Sequence, residues 1–308
     1  MQNGAQIEYD YSVAKAFTFA TILFGIIGMT IGVVLAFQLA FPQLNYLAGE
    51  YGTFSRLRPL HTNGVAFGFA LSGIFASWYY ISQRVLKVSL KESPFLMAIA
   101  KLHFVLYFIT ILLAVVTLFM GITTSKEYAE LEWPLDILVV VFWILWGISI
   151  FGIIGIRRER TLYISIWYFI ATFIAVAMLY LFNNMEVPTA LVSGYGSWIH
   201  SVSMYSGTND ALVQWWYGPN AVAFVFTTPI IALIYYFLPK ESGQNIYSYK
   251  LSILAFWGLL FVYLWAGGHH LIYSTVPDWM QTMGSVMSVV LILPSWGSAI
   301  NMLLTMKG

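Results

Sequence analysis

The chain has no cysteine, which excludes disulfides, thiolate metal sites and cysteine nucleophiles together. Any metal must then be held by histidine, carboxylate, methionine or tyrosine. Charge is the second scarcity. Only 9% of the 308 residues are charged, against roughly a quarter in a soluble domain, so most of the surface cannot face water. A net charge of +1 leaves no basic face to recruit nucleic acid and no acidic balance to attract a cationic partner. Histidine is sparse too, limited to His61, His103, His200, His269 and His270. No internal repeat is visible. The N-terminal MQNGAQIEYDYSVAK is polar and acidic, where a cleaved signal would open on a basic segment. The first apolar run therefore reads as a permanent span.

What is present is apolar and aromatic: 60% hydrophobic residues, 18% aromatic, and a mean hydropathy of +0.78. A bilayer core needs about 20 apolar residues as helix. Eight segments meet that length, about 14–41, 62–86, 98–122, 134–156, 161–182, 212–238, 250–273 and 279–304. The expected fold is an all-α, polytopic transmembrane helix bundle, with residues 1–308 as one transmembrane domain. Basic residues set its orientation. Arg84, Lys87 and Lys91 follow the second span, Arg157, Arg158 and Arg160 the fourth, and Lys240 and Lys250 flank the loop after the sixth. These loops share one side, expected to be cytoplasmic, and the N-terminus lies there too. Glu127, Glu130 and Glu132 lie opposite. Arg56 and Arg58 fall on the outer side against the rule, so each is expected to have a partner. Two outer connections are longer than linkage requires: 42–61, rich in Gly, Tyr and Pro, and 183–211, too polar to span and too aromatic for a plain linker. They read equally as plain loops or as segments that cap a site or dock a soluble partner.

His61 sits at the start of the second span in SRLRPLHTNGVAFGF. Polar residues at membrane depth are costly and tend to face a bundle interior. Two readings are open: an axial ligand of haem iron, with Gly64, Ala66, Gly68 and Ala70 leaving room for a flat macrocycle, or a hydrogen-bonded histidine at a helix start. His269 and His270 are adjacent in YLWAGGHHLIYSTVPDW. Neighbours on a helix point about 100° apart, so both reach one ion only if it lies near their bisector. Gly267 and Gly268 permit a backbone adjustment, and imidazoles without thiolate suit copper or zinc. Tyr263 lies on roughly the same side. In VQWWYGPNAVAFVFTTP the aromatic residues read as interfacial anchors, and Pro219 is expected in a first helical turn, where its missing N–H costs little. His103 and His200 read as structural.

The runs RLRPLHTN, QWWYGPNAV, YLWAGGHHLIYSTVPDW and LPSWGSAINM resemble, in order and along the whole chain, the catalytic subunit of cbb3-type cytochrome c oxidases of the haem–copper superfamily. The resemblance implies a multi-pass subunit of the bacterial inner membrane, associated with membrane-anchored c-type cytochrome subunits. It passes electrons from cytochrome c through a low-spin haem b to a high-spin haem b and copper, where oxygen is reduced to water and protons are moved. By position, His61 matches an axial ligand of haem b, and Arg58 and Trp215 match residues on haem propionates. Glu127 and Glu130 resemble an acidic pair near a calcium ion. His269 and His270 match two of three copper ligands, and Tyr263 matches the tyrosine that supplies a proton and an electron. Thr227, Tyr235 and Ser252 match the inner-side proton path.

Two departures accompany the resemblance. The third copper ligand of the family falls at Pro219, which has no side-chain donor. The family has about twelve spans, and the later ones carry further haem ligands, so this chain is expected not to complete either haem site. Two other functions therefore stay open beside oxygen reduction. One is a non-catalytic membrane homologue that keeps the fold without the metal pair. The other is nitric oxide reduction on a related scaffold, which calls for additional glutamates that the sixth and seventh spans lack.

Overall fold

A computed structural model describes residues 7–46 and 49–307. Eight of its helices are long and apolar enough to cross a membrane: α1 (Ser12–Ala40), α2 (Phe54–Val85), α3 (Pro94–Met120), α4 (Trp133–Gly155), α5 (Ile164–Asn183), α6 (Gly207–Ser242), α7 (Tyr249–Leu271) and α8 (Asp278–Lys307). Strand is confined to two short pieces, β1 (Glu186–Pro188) and β2 (Ser201–Ser203), which pair with each other. The chain is an all-α, multi-pass membrane protein. It divides into two compact units: one comprises residues up to Thr161 with Glu186–Val202, the other Leu162–Met185 with the residues from Ser203 onward.

The first unit is built on aromatic packing. Phe17, Phe75, Trp78, Tyr79, Tyr107 and Trp146 are all fully buried. Along α3 the buried positions are Leu96, Ala100, His103, Tyr107, Thr110, Ile111, Ala114 and Leu118, a stripe at helical spacing. Leu102, Val105, Ile109, Leu112 and Val116 on the remaining face are exposed, as a lipid-facing surface requires. Ser93 caps this helix by accepting from Leu96 N, Pro94 fills its first turn, and Gly121 ends it with φ +76°. His103 belongs to the aromatic core: Nδ1 lies 2.9 Å from Tyr79 Oη, and its ring centroid is 4.5 Å from Phe75. That environment is structural.

The second unit packs α5 to α8 around polar contacts as well as apolar ones. Thr172 and Thr228 hydroxyls lie 2.7 Å apart. Tyr163 Oη donates to the carbonyl of Tyr235 at 2.8 Å. α8 breaks near Leu291, just before Pro294.

Two helix starts differ from the hydropathy reading, and both differences bear on sites. α2 begins at Phe54 rather than near 62, so His61 lies inside a helix and not at its start. Hydropathy stops at RLR, but the helix continues because its arginines find partners. α6 begins at Gly207 rather than near 212, with Asp210 in its first turn accepting from Ser203 Oγ at 2.6 Å. Pro219 is therefore interior to the helix, not in its first turn. Its missing N–H leaves the Trp215 carbonyl without a helical donor, and the backbone opens into a π-helical stretch at Val222–Thr227 soon after.

Candidate functional site

His61 is positioned by α1. Its Nδ1 lies 2.8 Å from the carbonyl oxygen of Gly28. A carbonyl can only accept, so Nδ1 carries the proton and Nε2 keeps its lone pair. The ring lies against Gly32, where an added Cβ would come within 2.5 Å of His61 Cε1. Gly28 is equally constrained, since a Cβ there would lie 3.2 Å from the backbone of Gly64. α1 and α2 thus meet along a Gly25–Gly28–Gly32 stripe, a small-residue spacing that lets two helices approach. That spacing is readable in FGIIGMTIG, but attention to His61 alone passes over it. Just beyond His61 the backbone is π-helical over Gly64–Ala70. Tyr107 Oη bonds the carbonyls of Phe67 and Gly68 there, at 2.6 and 2.9 Å.

The two arginines that break the charge rule both have partners. Arg58 pairs with Glu127 at 3.2 Å. Arg56 lays its guanidinium over Gly121, filling the space a Cβ at that position would take. A cation there faces the carbonyl end of α3, where the helix dipole favours it. Glu130 is buried and accepts from Asn63 Nδ2 at 3.0 Å. Burial pushes its carboxyl above the ordinary carboxylate range, and the Asn63 hydrogen bond opposes that. Glu127 and Glu130 thus have different partners. His200 Nδ1 lies 2.9 Å from Glu132 Oε1, while Glu132 Oε2 accepts from Ser201 N at 2.8 Å. This ties the 186–202 loop to the start of α4.

In the second unit, α7 tightens to a 3₁₀ turn over Gly267–Leu271. The two glycines face different helices. Gly267 abuts the Trp215 carbonyl on α6, and a Cβ at Gly268 would lie 2.6 Å from the Met280 carbonyl on α8. Gly284 in turn is packed against the backbone of Gly268 and His269. Close approach on both sides is what these glycines provide, more than backbone adjustment. The His270 ring stacks on Trp215, with centroids 4.5 Å apart and planes 12° apart. His269 and His270 centroids are 4.4 Å apart, and His269 Nδ1 is 2.6 Å from Ser288 Oγ. Tyr263 lies edge-on to Phe224 at 6.5 Å.

Tyr235 and Ser252 are brought together by a residue the sequence reading missed. Asn301 Nδ2 donates to Ser252 Oγ at 2.8 Å and lies 3.5 Å from Tyr235 Oη, and Asn301 Oδ1 accepts from Ser248 N at 2.9 Å. Asn301, Ser252 and Tyr235 are fully buried. Thr227 lies in the π-helical stretch, and the hydroxyl bonded across to α5 is that of its neighbour Thr228.

The two imidazole sites differ in what they can accommodate. At His61 a free Nε2, with Nδ1 engaged by the Gly28 carbonyl, suits a haem axial ligand. At the histidine pair, a copper ion held by three imidazoles does not fit. Pro219 offers no donor, and among the described residues no three His, Cys, Asp or Glu side chains come together as a metal site.

Comparison with known proteins supplies the context. A family model described as Cytochrome C and Quinol oxidase polypeptide I matches residues 12–308. The chain is 43% identical over 308 residues to the cbb3-type cytochrome c oxidase subunit CcoN1 of Stutzerimonas stutzeri, covering 100% of this chain and 62% of that one. It is 44% identical over 305 residues to cytochrome c oxidase subunit 1 of Rhodobacter capsulatus, covering 98% and 55%. A haem–copper terminal oxidase dimer shares the fold with a TM-score of 0.69 at 17% identity, over 96% of this chain and 52% of that one. The chain spans a little over half the length of the relatives it matches.

Proposed function

The chain belongs to the cytochrome c and quinol oxidase polypeptide I family, and from that premise we propose that it is a haem-carrying electron-transfer subunit of a cbb3-type cytochrome c oxidase. In this reading it lies in a bacterial cytoplasmic membrane with its N-terminus on the cytoplasmic side, beside membrane-anchored c-type cytochrome subunits. The observation that carries the reading is His61, whose Nδ1 is engaged by the Gly28 carbonyl at 2.8 Å so that Nε2 is left to ligate iron. Bound haem supplies a one-electron carrier. The Gly28 carbonyl holds the imidazole in one tautomer and raises the basicity of Nε2. Arg58, one turn before His61, is assigned to a haem propionate. Glu127 and Glu130 are assigned to a calcium ion beside them.

Tyr235, Asn301 and Ser252 hold a buried hydrogen-bonded file within α6, α7 and α8, and with Thr227 we assign it to proton delivery toward Tyr263. The residues present do not complete a copper site, since Pro219 offers no donor. Pro219 favours the second reading at that point: a membrane homologue that carries haem but does not itself reduce oxygen. The test is the haem content of the purified protein by pyridine haemochrome, with oxygen uptake measured in parallel. Haem lost in His61→Ala supports the haem reading, and haem retained at full stoichiometry in that variant refutes it. Oxygen uptake above background by the Pro219 chain in its complex refutes the non-catalytic reading.

A further inference from the structure

The buried polar file of the second unit does not continue along α7. The face that carries Ser252 runs on through Phe256 and Leu259 before it reaches Tyr263. Phe256 and Leu259 are buried and apolar, so no α7 side chain bridges that stretch.

Beside the gap lie two hydroxyls outside the assigned file. Tyr168 on α5 stacks on Tyr235, with centroids 5.9 Å and planes 18° apart, and stands edge-on to Phe256 at 4.9 Å. Its ring therefore spans from the file to the residue that interrupts it. Ser298 on α8 lies one turn before Asn301 on the same face. Pro294 packs on Gly258, and Gly297 on Leu251 and Ala255, which displaces Ser298 from Asn301 toward Tyr263.

Both hydroxyls are buried, and neither has a protein hydrogen-bond partner. Other hydroxyls in these helices return their proton to the carbonyl four residues back, as Thr172, Thr228 and Ser288 do. Ser298 does not. Its hydroxyl bears on the Tyr168 phenol without closing a direct hydrogen bond. Left unsatisfied, each would carry the desolvation penalty of a buried polar group, and a single bridging water relieves both. One turn further along α5, Thr172 meets Thr228 at 2.7 Å. Phe224, one turn before Thr228, is edge-on to Tyr263.

We infer that Tyr168 and Ser298 hold one ordered water between their hydroxyls, and that this water continues the file past Phe256 toward the Thr172–Thr228 pair. Beyond Asn301 the route then follows α5 instead of α7. The continuation rests on the proton-delivery reading, whereas the water site stands on the two hydroxyls alone.

Three measurements on the full chain in bilayers test it. With tyrosine ¹³Cζ labelled, magnetisation transfer from water should reach the Tyr168 phenol, identified among the 20 tyrosines as the signal missing in Tyr168→Phe. Ser298→Ala should abolish that transfer. No transfer to Tyr168, or transfer unchanged in Ser298→Ala, overturns the shared water. Thermal midpoints read the same site independently. Removing a hydroxyl that is merely unpaired raises stability, because its desolvation penalty goes with it. Removing one that holds a bridging water lowers it. Tyr168→Phe and Ser298→Ala should each lower the midpoint by about 2–4 °C. The double variant should lose no more than the larger single, since one water serves both. A raised midpoint in either single variant, or additive losses, overturns the site. The continuation is read by deuterium exchange at the Tyr168 hydroxyl, followed through the isotope shift of its ¹³Cζ. Ser252→Ala cuts the file on its inner side and should slow that exchange severalfold. Unchanged exchange with the water contact intact overturns the continuation and the proton-delivery reading with it. Loss of the water contact alone overturns the site and leaves that reading in place.

Discussion

His61 and His269 are held in the same way and by opposite means. Each has Nδ1 engaged and Nε2 left free, but His61 is bonded to the Gly28 main chain and His269 to the Ser288 side chain, whose own proton goes to the Gly284 carbonyl. A main-chain acceptor cannot be deleted by substitution, so the demand passes to the glycines that bring the backbone close. A side-chain acceptor is removable by itself, so the second site can be dismantled a part at a time. The lesson is that the first site is written in glycine spacing and the second in scattered polar residues. Both also adjoin π-helical backbone, at Gly64–Ala70 after His61 and at Val222–Thr227 after Pro219.

The largest expected effect breaks the first site through a residue that makes no polar contact with the ring. Gly32→Val places atoms where the His61 ring lies, since even a Cβ comes within 2.5 Å of Cε1. Haem content by pyridine haemochrome should fall about tenfold or more, as far as in His61→Ala, with helix content by circular dichroism unchanged. Full haem in Gly32→Val would mean that the α1–α2 crossing does not position the imidazole. The matching change in the second unit is Gly284→Val, which forces α8 away from the His269 backbone. Overpacking of this kind costs about 1–3 kcal/mol. It should lower the thermal midpoint in detergent and, unlike Gly32→Val, leave haem content unaltered.

That contrast also describes what the sequence could and could not convey. The eight spans were readable because apolar length alone sets them. His61 and the histidine pair stood out because imidazoles are rare in such a composition. Helix starts were not readable where polar residues extend a helix with the help of partners. Phe54–Asn63 reads as a loop until Arg56 and Arg58 meet the end of α3 and Glu127. The same blindness put Pro219 in a first turn, when a start at Gly207 makes it interior. Ser288 lies in no motif, and Asn301, though inside LPSWGSAINM, is not marked out there by any chemical signature. Each is one polar residue on an apolar span, and only the packing of α8 against α7 shows which of its polar side chains matter. The Gly25–Gly28–Gly32 stripe was legible in principle, since its spacing is itself the signal for close helices.

A smaller effect tests the loop beside the first site. Glu130 is a carboxyl whose folded value lies above its usual 4.5, chiefly through burial. A raised carboxyl favours the protonated form in the folded state. Its contribution is complete below the unfolded value and is lost as pH rises through the folded one. Thermal midpoints measured from about pH 4 to about pH 8 should therefore fall with rising pH in a component that Glu130→Gln removes. A midpoint that instead rises with pH in the parent protein relative to Glu130→Gln would reverse the sign and discard burial as the dominant cause.

The smallest expected effect on stability separates two uses of one side chain. Arg58 and Glu127 are partly exposed, at 53% and 35%, and a pair of that kind contributes about 0–1 kcal/mol. If pairing with Glu127 were the whole purpose of Arg58, then Arg58→Ala and Glu127→Ala would behave alike. Both would leave the thermal midpoint and the haem potential nearly unchanged. Assigning Arg58 to a propionate predicts otherwise, because a guanidinium near an oxidised haem disfavours the added positive charge. Losing it should lower the reduction potential in a spectroelectrochemical titration. Losing Glu127 removes a negative charge from the same surroundings and should move the potential the other way, by less. Opposite signs for the two variants would place Arg58 in the haem site, whereas matching signs, or no shift in either, would leave it a partner of Glu127 alone.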